Sequence, residues 1–204
     1  MVVRLRGVRV RAWQGIPDIT IDDVSQIEVL AAAPWGDNID LTDNIVDVAL
    51  TDLASGASRV GVSTTGNVIS IREDSGIISR CKECRRVLRD GVCATHGSQE
   101  GTTDVRLRMV LDDGESTISL IVNKDASESL IKMNQEQISD EIQENGTMAF
   151  VQSLREILLG RELKASGRTI VDEQGAMLLS DHAELIETDS ALVAAELRNK
   201  WGVV

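Results

Sequence analysis

Three cysteines and a histidine fall within sixteen residues of this chain, CKECRRVLRDGVCATH from Cys81 to His96, and there is no other cysteine. Their spacing is C-x2-C-x8-C-x2-H, two close pairs separated by a short loop. Thiolates and imidazole nitrogens are the ligands that zinc takes in a tetrahedron, and a two-residue gap lets both members of a pair reach one ion. Gly91 and Gly97 sit beside the second pair, where a knuckle turns sharply. The expectation is one structural Zn2+ per chain, held by Cys81, Cys84, Cys93 and His96. Two other readings stand beside it: buried free cysteines with a surface histidine, and a redox pair at Cys81 and Cys84. A catalytic zinc keeps a position open for water, whereas four protein ligands close this shell. The complete H-x-E…P-C-x-x-C signature of deaminases is absent as well.

Arginines are the second group with recognisable chemistry. In GVRVRAW, residues 7–13, alternation puts Val8, Val10 and Ala12 on one strand face and Arg9, Arg11 and Trp13 on the other. In DVRLRM, residues 104–109, Val105, Leu107 and Met109 turn one way and Arg106 and Arg108 the other. A guanidinium plane meets phosphates and also stacks on bases, so both strands are candidate nucleic-acid faces. An ordinary solvated strand face explains each arginine pair equally well, and Trp13 fits an edge of a core as well as a stacking platform. The chain carries a formal charge of −12, which confines any contact with phosphate to a local patch. Its basic residues are 16 Arg and 5 Lys, and its only aromatics are Trp13, Trp35, Phe150 and Trp201. Such an acidic, lysine-poor composition suits a protein of a high-salt cytoplasm, or simply an acidic cytoplasmic one. Enzyme chemistry finds no support: there is no Gly-rich phosphate loop and no Ser/His/Asp set, and Asp112-Asp113 belongs to a turn. His182, beside Asp181, has no companion ligands and reads as a surface residue.

The elements that must position these residues follow from pattern. At 204 residues and 42% apolar content the chain is long enough for one ordinary domain and a smaller piece. No run of about 18 apolar residues exists, and the N-terminus alternates charged and apolar residues where a leader would be apolar, so a cytoplasmic location is expected. Residues 1–30 read as two or three strands. Residues 31–60, with aspartates 37, 40, 43, 47 and 52 and no lysine, read as an acidic linker carrying a marginal amphipathic helix through Leu41, Ile45, Val48 and Leu53. From 61 the strand pattern returns in GNVISIREDSG. After the cysteines, DDG between two alternating runs predicts a hairpin. Helical spacing covers 125–160, broken at Asn145-Gly146, with Phe150 assigned to the core beside Met148, Val151 and Leu154. Two strands around DEQG follow, and 188–204 closes the chain as a helix. This order predicts a mainly β fold. It fits an OB-type five-stranded Greek-key barrel with the zinc knuckle in the loop between strands 1 and 2, a helical insertion between strands 3 and 4, and a C-terminal helix, while periodicity alone supports a small mixed β barrel with helices.

The segment GNVISIREDSGIISRCKECRRVLRDGVCATHGSQEGTTDVRLRMVLDDGE resembles the zinc-containing OB-fold domain of archaeal replication protein A, and GRELKASGRTIVDEQGAMLLSDHAELIE resembles that domain's last two strands. The resemblance spans 61–187. GVRVRAWQGIPDITIDDVSQIEV is similar to the closing strands of the OB domain that precedes it in these proteins. What the resemblance implies is a non-catalytic, nucleoid-associated protein that binds single-stranded DNA in replication, repair and recombination. Arg9, Arg11, Trp13, Arg106 and Arg108 are then its nucleic-acid-binding candidates. The alternative is an OB-fold assembly subunit of a replication protein A complex with little DNA contact. In TDSALVAAELRNKW, Thr188, Asp189 or Ser190 can cap a helix whose Val193, Leu197 and Trp201 form one stripe, which either folds back on the barrel or meets partner subunits or a second copy.

Overall fold

A computed structural model describes residues 2–13, 16–32, 34, 45–172, 175–187 and 190–202, without the side chains of 13, 16, 17 and 190. The N-terminal part contains β1 (Val2–Leu5), β2 (Arg9–Trp13), β3 (Ile16–Thr20) and β4 (Ile27–Leu30). They pair as a long antiparallel hairpin, β1 with β4 and β2 with β3. Four short strands therefore stand where the pattern predicted two or three. Val10, on the apolar parity of β2, is 67% exposed, and Val29 of β4 is 63% exposed. Among the described residues nothing before Leu50 is buried to core level.

The next elements are β5 (Val46–Asp47), α1 (Leu50–Ser55), β6 (Val60–Ile71), β7 (Gly76–Cys81), β8 (Val92–Cys93), β9 (Gly97–Ser98), β10 (Gly101–Asp112) and β11 (Thr117–Val122). Helices α2 (Lys124–Ile131), α3 (Gln135–Asn145) and α4 (Thr147–Leu158) precede β12 (Glu162–Asp172), β13 (Gly175–Leu185) and α5 (Ser190–Trp201). Five strands close a ring in the order β6, β12, β13, β11, β10 and back to β6. All pairs in the ring are antiparallel except β11 with β13. In β10, Val105, Leu107, Met109 and Leu111 point inward and are 0–1% exposed, as their alternation requires. The expected hairpin forms at Asp112↔Thr117.

Closure of so small a ring needs strands that bend. Register shifts at Val110/Leu111 in β10 and at Ser166/Gly167 and Gly167/Arg168 in β12 supply the bends. At Gly167 a side chain would lie 2.1 Å from the Leu179 carbonyl oxygen, so only glycine lets β12 and β13 approach there. The helical insertion has three helices. Asn134 caps α3 through a reciprocal pair with Gln137, and Gly146 at φ 87° separates α3 from α4 where Asn145-Gly146 predicted the break. Phe150 of α4 is 1% exposed. Its ring covers Gly76, where an added Cβ would sit 3.2 Å from Cε1.

The acidic linker is shorter than expected. Val46 and Asp47 add a parallel strand beside Val62 and Ser63, and Leu50 and Leu53 of α1 enter the barrel core. Elements packed with the barrel thus begin at Val46, ahead of the predicted boundary at 61. Residues 35–44, with Leu41 of the expected helix, lie outside the described residues. No described helix is long and apolar enough to cross a membrane.

Candidate metal centre and nucleic-acid groove

The Cys/His segment leaves the barrel between β7 and β10, inside the connection between the first and second strands of the ring. Backbone turns set the ligands: the Arg85 N–H donates to the Cys81 carbonyl, the Cys81 N–H to Arg86, and β8 pairs with β9 to bring Cys93 beside Gly97. Ligand atoms of Cys81, Cys84, Cys93 and His96 all lie within 4.8 Å of one another, so the four can hold a metal ion. Cys81 Sγ is 3.4 Å from His96 Nδ1, Cys93 Sγ is 3.7 Å from the same nitrogen, and Cys84 and Cys93 Sγ are 3.5 Å apart.

The electrostatics suit thiolate ligation. Backbone N–H groups of Thr95 and His96 lower the Cys93 thiol to about 6, and the Cys84 and Glu83 amides lower Cys81. At Cys84 the Arg86 amide works in the same direction, but burial and the neighbouring sulfurs outweigh it and raise the thiol. His96 is raised by its contact with Cys81. With Nδ1 facing the sulfurs, its Nε2 lies 3.5 Å from Glu83 Oε2, and Gln99 Nε2 donates to Glu83 at 2.7 Å.

The arginines predicted from alternation are not brought together by any strand pairing. Arg9 and Arg11 lie on the N-terminal hairpin, where Arg9 pairs with Asp22 through Nε at 3.0 Å, and both are exposed. The Trp13 side chain lies outside the described residues. Arg106 and Arg108 lie on the outer face of β10 as predicted, but both donate to one carboxylate oxygen, Asp74 Oδ2, at 2.9 and 2.7 Å. His182 is exposed beside Glu184.

Cross-strand register reveals a site that alternation alone did not. Arg108 lies opposite Ile121, Ile121 beside Leu179, Leu179 opposite Arg168, and Arg168 opposite Val60. Opposed residues share a face of the sheet, so two guanidiniums flank an apolar Ile121–Leu179 floor across the ring. A groove of about 720 Å³ runs along this face, and Arg80, Arg106, Arg168, Ile121, Asn123 and Leu179 are among its walls. Arg80 is tied to Asp104. No ion pair engages Arg168 among the described residues. Sequence reasoning missed Arg80, Arg168, Ile121 and Leu179, although the signal was present: Ile121 and Leu179 are apolar residues on the outward parity of their strands.

A scan against protein-family models finds no match, and a search of curated proteins finds none either. Among solved structures, the chain is similar to a replication protein A heterotrimer bound to single-stranded DNA, with a TM-score of 0.50 and 13% identity over 77% of this chain and 40% of that one. It thus spans under half of that chain's length. Yeast RPA bound to single-stranded DNA gives a TM-score of 0.43 at 16% identity, over 68% of this chain and 85% of that one. The S. pombe Stn1–Ten1 complex gives 0.30 at 9%, over 70% and 71%. At 13% identity the first likeness shows the fold alone, an OB barrel of the kind that heterotrimer contains.

Proposed function

We propose that this chain is a non-catalytic, single-stranded DNA-binding protein of the replication protein A type, serving replication, repair and recombination. The observation that carries the proposal is the arginine-flanked apolar row across the outer face of the barrel, Arg108, Ile121, Leu179 and Arg168. Such a floor accepts the apolar faces of splayed bases while guanidiniums meet the phosphates beside them. Aromatic stacking, worth about 1–3 kcal/mol per base in other OB proteins, is replaced here by aliphatic contact, so affinity rests more heavily on charge. With a formal charge of −12 on the chain, contact with phosphate needs a local cluster of arginines such as this groove provides.

The metal is zinc, in a structural role. A tetrahedron with Zn–S of about 2.3 Å and Zn–N of about 2.0–2.1 Å has edges of about 3.5–3.8 Å, close to the three separations of 3.4, 3.5 and 3.7 Å given above. When bound, the ion would brace the connection beside Arg80. The assembly reading draws on α5. Val193, Leu197 and Trp201 are 40%, 39% and 70% exposed, which favours a partner helix from another subunit as their cover. The predicted caps Thr188 and Asp189, and the side chain of Ser190, lie outside the described residues.

Fluorescence titration with a labelled single-stranded oligonucleotide and its duplex, at two salt concentrations, tests the DNA reading. Single strands are expected to bind more tightly, because the barrel offers no element shaped for the major groove. Replacing Arg108 and Arg168 together with alanine is expected to weaken binding about thirtyfold, at roughly 1 kcal/mol per guanidinium, and to flatten the salt dependence. Absence of single-strand binding by the folded, metal-loaded protein would leave the assembly role in its place.

A further inference from the structure

The turn between β6 and β7 is stitched to β10 and delivers one acidic side chain onto Arg106, which lines the groove, and its neighbour Arg108. The Arg72 N–H donates to the Arg108 carbonyl, the Arg108 N–H donates to Ser75 Oγ at 2.9 Å, and the Ser75 N–H returns to the Arg72 carbonyl. Between them stands Asp74, and its Oδ2 accepts from both Arg106 Nη2 and Arg108 Nη1. One carboxylate oxygen serves two guanidiniums, leaving the trio with a charge of +1. Arg106 is the less satisfied partner: its side chain is 15% exposed and its buried Nε has no acceptor. Burial disfavours the charged form of Asp74, but the hydrogen bond and charge of Arg108 and the charge of Arg106 outweigh it and hold the carboxyl below its ordinary range.

Position gives this trio its importance. Arg106 lines the 720 Å³ groove, and it also lines a second hollow of about 400 Å³ bounded by Asp74, Arg108, Arg89 of the Cys/His segment and Thr147 at the start of α4. A strand leaving the groove past Arg106 meets the carboxylate before it reaches that hollow. The Asp74–Arg108 pair is exposed on both sides, at 51% and 36%, and such pairs contribute little net energy, so a phosphate can replace the carboxylate there at small cost, while the more buried Arg106 exchanges one anion for another. Because the turn is held by backbone and Ser75 bonds, the side chain can rotate away while the turn stays closed.

We propose that Asp74 is an internal stand-in for phosphate, a carboxylate latch that single-stranded DNA displaces from Arg106 and Arg108 on entering the second hollow. This rests on the single-strand reading of the groove. The latch sets affinity without touching DNA, and it penalises short or weakly charged ligands that cannot offer a phosphate in exchange.

The test is fluorescence anisotropy with labelled oligothymidylate across a salt series, using the metal-loaded full chain and the variants Asp74→Asn and Asp74→Ala. Both are expected to bind about three- to tenfold more tightly at low salt, the size of one or two exposed ion pairs. The slope of log affinity against log salt should steepen by about 0.7 for each guanidinium freed to meet a phosphate. Two further variants separate the latch from bulk charge. Asp113→Asn removes an equal charge about 20 Å away along β10, given about 3.3 Å per strand residue, and should leave affinity unchanged. Adding Arg106→Ala and Arg108→Ala to Asp74→Asn should abolish the gain. Unchanged or weaker binding by the Asp74 variants overturns the latch, and so does an equal gain in Asp113→Asn. If wild type and Asp74→Asn both fail to bind, the single-strand reading falls and takes the latch with it. A wild type that binds without any gain in the variant sinks the latch alone.

Discussion

In the barrel, 24 of the described residues form one buried apolar cluster drawn from β6, β10 to β13 and four helices, whereas the Cys/His segment buries only Cys81, Leu88 and Cys93. The two regions share a ladder, since β7 runs from the barrel into the first ligand and pairs with β10 from Arg106 back to Gly101. They are nevertheless held by different forces. Apolar burial at about 25 cal/mol per Å² accumulates over the barrel. The segment has one buried leucine, Leu88, worth about 2 kcal/mol, while the proposed structural zinc would supply an apparent ~10–16 kcal/mol. The difference teaches that the barrel is a fold with its own apolar core, whereas the segment buries too little to hold its shape alone and, with the proposed zinc bound, would brace one wall of the groove.

The largest expected effect breaks the comparison at the metal. Chelation, or Cys84→Ser, should remove hydrogen-exchange protection from the Arg89, Val92 and Gln99 amides, which bond only within the segment, while the amides of β11, β12 and β13 stay protected. If barrel protection collapses too, the segment belongs to the barrel's cooperative unit. The converse perturbation is Phe150→Ala, which empties the wall over Gly76 and should cost about 3–5 kcal/mol in denaturant unfolding. Metal stoichiometry of the folded fraction should stay at one per chain. Loss of zinc in that variant would show that the barrel shapes the segment.

How much of this was legible in the sequence differs between the regions for physical reasons. Ligand chemistry is local: four residues within sixteen positions declare themselves through type and spacing. The barrel's core parity was local too, and Leu107 and Met109 follow it. The groove is another matter. Arg108 meets Ile121 through a hairpin that could be read, but Ile121 meets Leu179 through a parallel pairing across 58 positions of sequence, and no pattern specifies that register. Asp74 stands 32 and 34 residues from the arginines it engages, so outward-facing arginines looked free when they are shared. Composition misled once: the aspartates around 47 made a linker of residues whose Leu50 and Leu53 are core. The N-terminal hairpin shows the limit of parity itself, which places Val10 opposite Arg9 and Arg11 but cannot supply a partner to cover it.

The smallest expected effect sharpens the comparison within the metal region, by asking whether the four ligands act alone. His96 presents Nδ1 to the sulfurs and Nε2 to Glu83, and Gln99 holds the other oxygen of that carboxylate. A carboxylate behind a ligating imidazole fixes which nitrogen keeps its proton and how the ring is turned, and losing one costs about 10–100-fold in metal affinity where it is well buried. Glu83 is 59% exposed, so water can replace much of what it does. Glu83→Gln keeps the size and loses the charge, and it should weaken zinc binding by about three- to tenfold, toward the bottom of that range or below it. Competition against a chromogenic chelator measures this directly, and the melting of the metal-loaded barrel should not move, because Glu83 lies outside the apolar cluster. An unchanged zinc affinity would mean that His96 is oriented by the Cys93–Gly97 turn alone, and that the segment needs nothing from its second layer of residues.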